Sequence, residues 1–384
     1  MKKRVLVWIT LGNRVGRDVF RGIYQYARLH SPQWDITHLE RIQNELDTVL
    51  SWEFDGVIGP FNRQAAAEAA DSVYPFCINL HGCKPFNRLP QVGTRDYDIG
   101  VVAADYFLDR RFDHFGYFGS PGLRLSDERW EGYRDRLAAH GKKAVQLTAP
   151  GIDWSQGKPL NYWGWVRPAL KNWLLEQPRP FALFMENDAR AGLLYKLCRE
   201  NKLIIPNDIV LLGVNDEDIF CHNKNPPLSS IQVPSHMAGY RAAQMLDRIF
   251  KTRKPPRKPL FLEPGSVVER ASTVLFNIPD PQLVKALRFI TDNATNRISV
   301  DQIARTAGLS RRVLEKRFRI FLHCSPQAEV RRKQIEAAQT ALRETDLTLE
   351  QIAESAGFVS GNYLSQTFKK MTGQTPGTYR RNFR

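Results

Sequence analysis

The succession of apolar and polar positions splits the chain into a long part where strands and helices alternate and a shorter part that is helical. Residues 5–10 form an apolar, β-rich run, and residues 16–29 follow with Val19, Phe20, Ile23, Tyr26 and Ala27 at helical spacing. The alternation recurs, predicting strands at 56–59, 76–80 and 115–118 and helices at 64–72 and 99–108. A second series places strands at 143–148, 181–185 and 209–214 among helices at 127–140, 160–175, 189–200 and 236–250. Strands separated by helices of about 10–15 residues predict parallel α/β sheets, and the length of the series predicts two lobes.

A boundary is expected near Asn277-Ile278-Pro279-Asp280-Pro281, where Asp280 can cap a helix that has Pro281 at its first position. Beyond it the sequence repeats. Ser299-Val300-Asp301-Gln302-Ile303-Ala304, closing on Ala307-Gly308, aligns with Thr348-Leu349-Glu350-Gln351-Ile352-Ala353, closing on Ala356-Gly357, 49 residues later. Each copy opens with a capping box, in which the cap hydroxyl and the glutamine three residues on satisfy two helix N–H groups. Each closing glycine permits a left-handed turn. Ser310 and Ser360 can then cap a further helix, with Leu314/Phe318 and Leu364/Phe368 as its buried stripe. Two helices joined by a short glycine turn are a helix-turn-helix unit. Between the copies, Ser325-Pro326 opens a helix to about residue 343. Its length of roughly 26 Å can hold two recognition helices about one DNA turn apart.

Composition narrows the class. At 384 residues, 42% apolar and 25% charged, the chain is globular and long enough for more than one domain. Its 55 basic and 40 acidic residues favour a polyanionic partner. The excess is uneven: residues 281–384 hold 18 basic and 9 acidic side chains, the remainder 37 and 31. Residues 251–260 are basic and proline-rich and read as a surface loop. No apolar run reaches the length of a membrane span. The opening Met1-Lys2-Lys3-Arg4 imitates a signal peptide, but the short apolar stretch and the subsequent Gly12-Asn13-Arg14 favour a first strand. Five cysteines without a C-x-x-C pair suit reduced thiols in a cytoplasm. Cys77, His81 and Cys83 lack the second ligand pair of a zinc site.

Ligands of open α/β sheets lie at the carboxyl ends of strands. There the sequence places Glu186-Asn187-Asp188, Asn215-Asp216-Glu217 and, after Gly119-Ser120-Pro121-Gly122, Arg129. Asp and Asn at such positions can simply cap the next helix. Carboxylates, amides and a guanidinium at three strand ends also match the vicinal hydroxyls of a sugar or similar polyol. Gly151 to Lys158 departs from a phosphate loop in spacing and has Pro159 where a hydroxyl is needed. Asp153 and Asp188 lack a nucleophile or base to complete an acid/base site, so catalysis is not indicated.

Arg129-x2-Gly132-Tyr133, Glu186-Asn187-Asp188-Ala189, Leu212-Gly213-Val214-Asn215-Asp216, Pro226 to Ile231 and Val268 to Thr273 resemble, in that order, the core of the LacI/GalR regulators. The resemblance implies a two-lobed periplasmic-binding-protein-like sensor over residues 1–276 that takes a sugar or nucleobase in its cleft. Carried over position by position, it implies effector contacts at Asp96, Arg129 and Asn187, with Trp154 stacking on a sugar face, while the strand-end cluster adds Asp188 as a candidate contact. Asn215 stands where that family carries aspartate, and either it or Asp216 is the implied contact. The chain opens on the strand rather than on that family's helix-turn-helix, so the DNA-binding part is expected elsewhere.

The repeat supplies it. At 100° per residue, Arg312, Glu315, Lys316 and Arg319 face away from Leu314 and Phe318, as Asn362, Ser365, Gln366 and Lys369 do in the second copy. Arg and Lys suit guanine, Asn and Gln suit adenine, and Glu can accept from cytosine. With the closing Gly373-Gln374-Thr375-Pro376-Gly377, residues 281–384 resemble an AraC-type DNA-binding domain, whose base-contacting positions fall on Arg312, Glu315, Lys316, Asn362, Ser365 and Gln366. The two resemblances imply a cytoplasmic, dimeric transcription activator that binds double-stranded operator DNA and RNA polymerase. Its implied effector is a small sugar, xylose or a related pentose first, and neither cofactor nor metal is expected. The competing readings are a sugar-processing enzyme with a basic tail and a constitutive DNA binder with a degenerate sensor.

Overall fold

The apolar runs build two parallel-type sheets in a computed structural model that describes residues 2–40, 54–61, 76–80, 89–147, 162–256, 258–274, 278 and 280–383. The first lobe holds β1 (Lys3–Trp8), β2 (Trp34–Leu39), β3 (Gly56–Gly59), β4 (Cys77–Leu80) and β5 (Gln91–Thr94). The second holds β6 (His114–Phe118), β7 (Ala144–Gln146), β8 (Phe181–Met185), β9 (Ile209–Val214) and β10 (Ser229–Ile231). β11 (Leu260–Leu262) returns to the first lobe and β12 (Val267–Val268) to the second. The strand orders are β11-β5-β4-β3-β1-β2 and β12-β10-β9-β8-β6-β7, so the chain passes between lobes after β5, β10 and β11. Only β12, against β10, runs antiparallel among the described pairings.

β8 and β9 are buried on both faces, which is why they read as unbroken apolar runs. Five strands escape the hydrophobic pattern: the short β11 and β12, and three others. β2 lies at the sheet edge and is half-exposed. β5 is flanked by polar residues. β10, Ser-Ser-Ile, is fully buried because its hydroxyls find acceptors: Ser229 donates to the Arg270 carbonyl (2.9 Å) and Ser230 to Asp188 (2.7 Å). The helix expected at 64–72, the zinc candidates His81 and Cys83, and Asp153 and Trp154 lie outside the described residues.

Each lobe rests on one close helix pair. Helix Arg14–His30 packs on Ser235–Thr252, and Asp96–Leu108 packs on Arg124–Ala138. Both crossings run through glycine. A Cβ on Gly132 would lie 1.9 Å from the Tyr97 carbonyl, and one on Gly239 would lie 2.0 Å from that of Val19.

The contacts group the chain into units Met1–Val274 and Leu275–Arg384. The second is all helical: Pro281–Asn293, Val300–Ala307, Arg311–Leu322, Pro326–Glu344, Leu349–Ser355, Gly361–Thr372 and Pro376–Phe383. Both capping boxes form, at Ser299/Gln302 and Thr348/Gln351, and Gly308 and Gly357 take the left-handed conformation. Leu314 and Phe318 enter one core, Leu364 and Phe368 another. Buried Gln334 on the long middle helix joins the halves, donating to the carbonyls of Ala294 (2.9 Å) and Gly357 (3.1 Å). Arg297 adds a bond to the Phe358 carbonyl (2.9 Å).

Gly132→Ala forces its helix pair apart and is expected to cost about 1–3 kcal/mol in urea unfolding. Gly192→Ala, on an exposed helix position with nothing within 4 Å of the new methyl, is expected to gain roughly 0.5–1 kcal/mol.

Candidate functional site

Two adjoining cavities, of about 440 and about 210 Å³, open between the carboxyl ends of the two sheets. They share Val15, Val19, Leu80, Leu125, Arg129 and Asn215 in their walls. The first lobe contributes the loop after β1 and the start of helix Arg14–His30, and the second contributes the ends of β8 and β9.

Arg129 lies in the floor, on helix Arg124–Ala138. Its Nε donates to Asp96 Oδ1 (2.8 Å), at the first turn of helix Asp96–Leu108, and another guanidinium nitrogen donates to the Glu186 carbonyl at the end of β8. Both charges are almost wholly buried, a position that is stable only when the charges are paired. Asn187 comes directly after β8 and lines the larger cavity. It stands at a helix N-terminus, yet its side chain makes no capping bond. Its amide nitrogen donates to Glu186 (3.2 Å), while its Oδ1 is buried without a partner. Thr94, at the end of β5 and lining the smaller cavity, has a buried hydroxyl that likewise has no partner among the described residues.

Asn215 and Asp216 diverge. Both have left-handed backbone, with φ of 98° and 51°. Asn215 lines both cavities, whereas Asp216 turns away to accept from Arg270 (2.7 Å) and Arg14 (3.0 Å). Asp188 reaches the cavity wall but commits both carboxylate oxygens to the protein, accepting from the Ser230 hydroxyl (2.7 Å) and the Glu217 N–H (2.8 Å). Burial pushes its pKa up from 3.8 to about 7 against those hydrogen bonds. Gly213 leaves the space, since a Cβ there would lie 2.0 Å from Asp188 Oδ1.

Several lining residues carried no signal in the sequence. Thr94 and Phe220 belong to a short strand and a one-turn helix, Asp218–Cys221, below the length at which periodicity can be read. Asn13 caps helix Arg14–His30 through the Gly16 N–H (2.8 Å) and also faces the cavity.

The second unit presents the other site. On helix Arg311–Leu322, Arg312, Glu315, Lys316 and Arg319 are exposed, and on Gly361–Thr372 so are Asn362, Gln366 and Lys369, with Ser365 half-buried. Glu315 accepts from Arg311 (3.0 Å). Among the described residues none forms an ion pair with Arg312, Lys316 or Arg319, so these cations are available to a polyanion. No cluster of metal-ligating side chains is present among the described residues, and no described helix is long and apolar enough to cross a membrane.

Residues 104–273 match the family described as a periplasmic binding protein-like domain, and residues 303–382 match that of a helix-turn-helix domain. Over 386 aligned residues the chain is 26% identical to the xylose operon regulatory protein of Escherichia coli K12, covering 99% of this chain and 97% of the relative. The chain is an AraC-type transcription regulator with a periplasmic-binding-protein-like sensor. The regulator's fold matches the structure of a xylose-binding transcription activator at TM-score 0.62 and 24% identity, over 99% of this chain and 98% of that one. A LacI family regulator of Enterococcus faecalis with bound ribose matches at TM-score 0.58 and 19% identity, over 71% and 98%. The relatives are regulators, not enzymes, and the sugar-processing alternative falls with them.

Thr94→Val replaces an unpartnered buried hydroxyl with a methyl. It is expected to leave the free regulator as stable or up to about 1 kcal/mol more stable in urea unfolding, while weakening the effector that the hydroxyl would bond. Ionised Asp188 is disfavoured in the fold, so stability contributed by this group falls as pH rises from 3.8 to about 7. Melting curves at pH 5 and 8 are expected to show that slope in the native chain and a flatter one in Asp188→Asn.

Proposed function

We propose that this regulator activates a sugar-utilisation operon, switched by a small sugar held in the cleft, xylose or a related pentose first. The observation that carries the reading is the pair of buried oxygens without a partner among the described residues, Thr94 Oγ1 and Asn187 Oδ1, on residues that line the two adjoining cavities, above a charged floor, Arg129 with Asp96, that is already neutralised. Buried polar atoms without partners call for a ligand or ordered water, and a neutral polyol offers several hydroxyls without adding charge. Asn187 and Asn215 supply fork-shaped donors and acceptors, and Trp154 is the proposed stacking residue. A degenerate sensor would have no reason to keep such oxygens unpaired. The full-length similarity to the xylose operon regulatory protein, together with a ribose-bound neighbour, points to pentoses.

Operator DNA is read by the two exposed helix faces: Arg312, Glu315 and Lys316 in one half-site, Asn362, Ser365 and Gln366 in the other, with Lys369 towards phosphate. The regulator acts as a cytoplasmic dimer that recruits RNA polymerase. Effector and DNA communicate because the sugar binds one arrangement of the sensor better than another.

A thermal-shift panel of pentoses and hexoses tests the sensor. A saturable rise in melting temperature with D-xylose or a close relative is expected, since binding the native state alone stabilises it by mass action. Silence across the panel refutes a sugar effector. Lys316→Ala is expected to lose about 1–3 kcal/mol of binding to the specific site and far less on random DNA. Equal loss on both, measured by fluorescence anisotropy, makes it a phosphate contact instead.

A further inference from the structure

Asp216 occupies a singular position. Its carboxylate is almost fully buried and has one guanidinium on each oxygen, Arg14 of the first lobe at 3.0 Å and Arg270 of the second at 2.7 Å. Arg14 also donates to the Asp216 carbonyl and, through its own N–H, to Glu217. The pairing therefore joins the two lobes. The same turn carries Asn215 into the cavity, and its shape is held from beneath. The Asp216 N–H donates to Ser230 Oγ (2.9 Å), which donates to Asp188.

Arg270 is not a surface cation. Its guanidinium donates to the Leu228 carbonyl (2.9 Å) and its N–H to Ser229 Oγ (2.7 Å), so its position sets that of the segment around it. That segment is the last of the sensor: the Ser272 N–H donates to the Pro227 carbonyl (2.9 Å), and the unit ends at Val274. The DNA-binding unit begins at the next residue, Leu275.

We propose that Asp216 is the relay between the cleft and the DNA-binding unit, sensing lobe closure through Arg14 and passing it through Arg270 to residues 270–274. This rests on the reading of the cleft as the effector site. When the lobes part, Arg14 withdraws and a buried carboxylate keeps one guanidinium, Arg270, and the long Gln232 amide contact (3.4 Å). The remaining Arg270 then rebalances around it, and the bonds that fix 270–274 change with it. Arg17 is the internal control. It crosses the same cleft to Glu217 (2.9 Å) and does not touch Asp216.

Amide hydrogen exchange on the full-length chain tests the relay. Arg14→Gln, which imitates opening at this contact, is expected to speed exchange of the amides of 270–274 by about threefold or more, while Arg17→Gln leaves them within measurement error. Unchanged amides in Arg14→Gln overturn the relay. So does equal acceleration in Arg17→Gln, which would mean a general loosening of the lobes. In an Asp216→Asn background, Arg14→Gln is expected to add nothing, and an additive effect also overturns it. Should that background not fold, the two arginine variants decide alone. Saturating D-xylose is the separate arm, expected to protect 215–217 and 270–274 together in the native chain. Absence of protection at 215–217 refutes D-xylose as the effector and leaves the relay to the arginine variants.

Discussion

A buried guanidinium must be surrounded by acceptors, and Arg129 meets that demand by tying three elements together. Its carboxylate partner Asp96 opens the helix that leads from the first lobe to the second, its carbonyl partner Glu186 ends β8, and Arg129 itself sits on the helix packed against the first. Leaving either charge alone would cost several kcal/mol. The pair therefore fixes where the crossover helix begins and how the β8 end approaches it. The glycine crossing of the two helices brings them close enough for the bond to form.

From that floor the cleft divides its labour. Groups that keep the turns in shape are saturated by the protein: Asp188 by Ser230 and the Glu217 N–H, Asp216 by two arginines. The groups on cavity-lining residues left unpaired among the described residues, Asn187 Oδ1 and Thr94 Oγ1, are neutral. A site built this way rewards a neutral hydroxylated molecule more than an ion, because its charges are already spent on one another. The exposed face of helix Arg311–Leu322 obeys the opposite rule, leaving Arg312, Lys316 and Arg319 without described acidic partners. Charges kept available in this way suit a polyanion, whose counterions are released on contact.

How much of this could be read along the chain depends on the range of the interactions. The second unit was legible almost residue by residue. Capping boxes, glycine turns and the Leu314/Phe318 and Leu364/Phe368 stripes are set by partners three or four residues away. The exposed faces come from the same period. The alternation of the first part was legible wherever a strand is buried on both sides, as β8 and β9 are. It was silent for β2, β5 and β10, which are an edge strand, a short polar-flanked strand and a pair of serines whose burial depends on acceptors some 40 residues distant.

The two-part architecture, the two helix-turn-helix units, the separation of charge and the cluster of polar residues at strand ends can all be read along the chain. Those properties arise from local periodicity and composition. The fold sets which member of each polar cluster is committed to the protein: Asp216 rather than Asn215, and both oxygens of Asp188 rather than Asn187 Oδ1. It also revealed Arg14 and Arg270 on one carboxylate, more than 250 residues apart in the chain. The reason is physical. A carboxylate's role is set by the donors that surround it, and here those donors come from strands and lobes that only folding brings together.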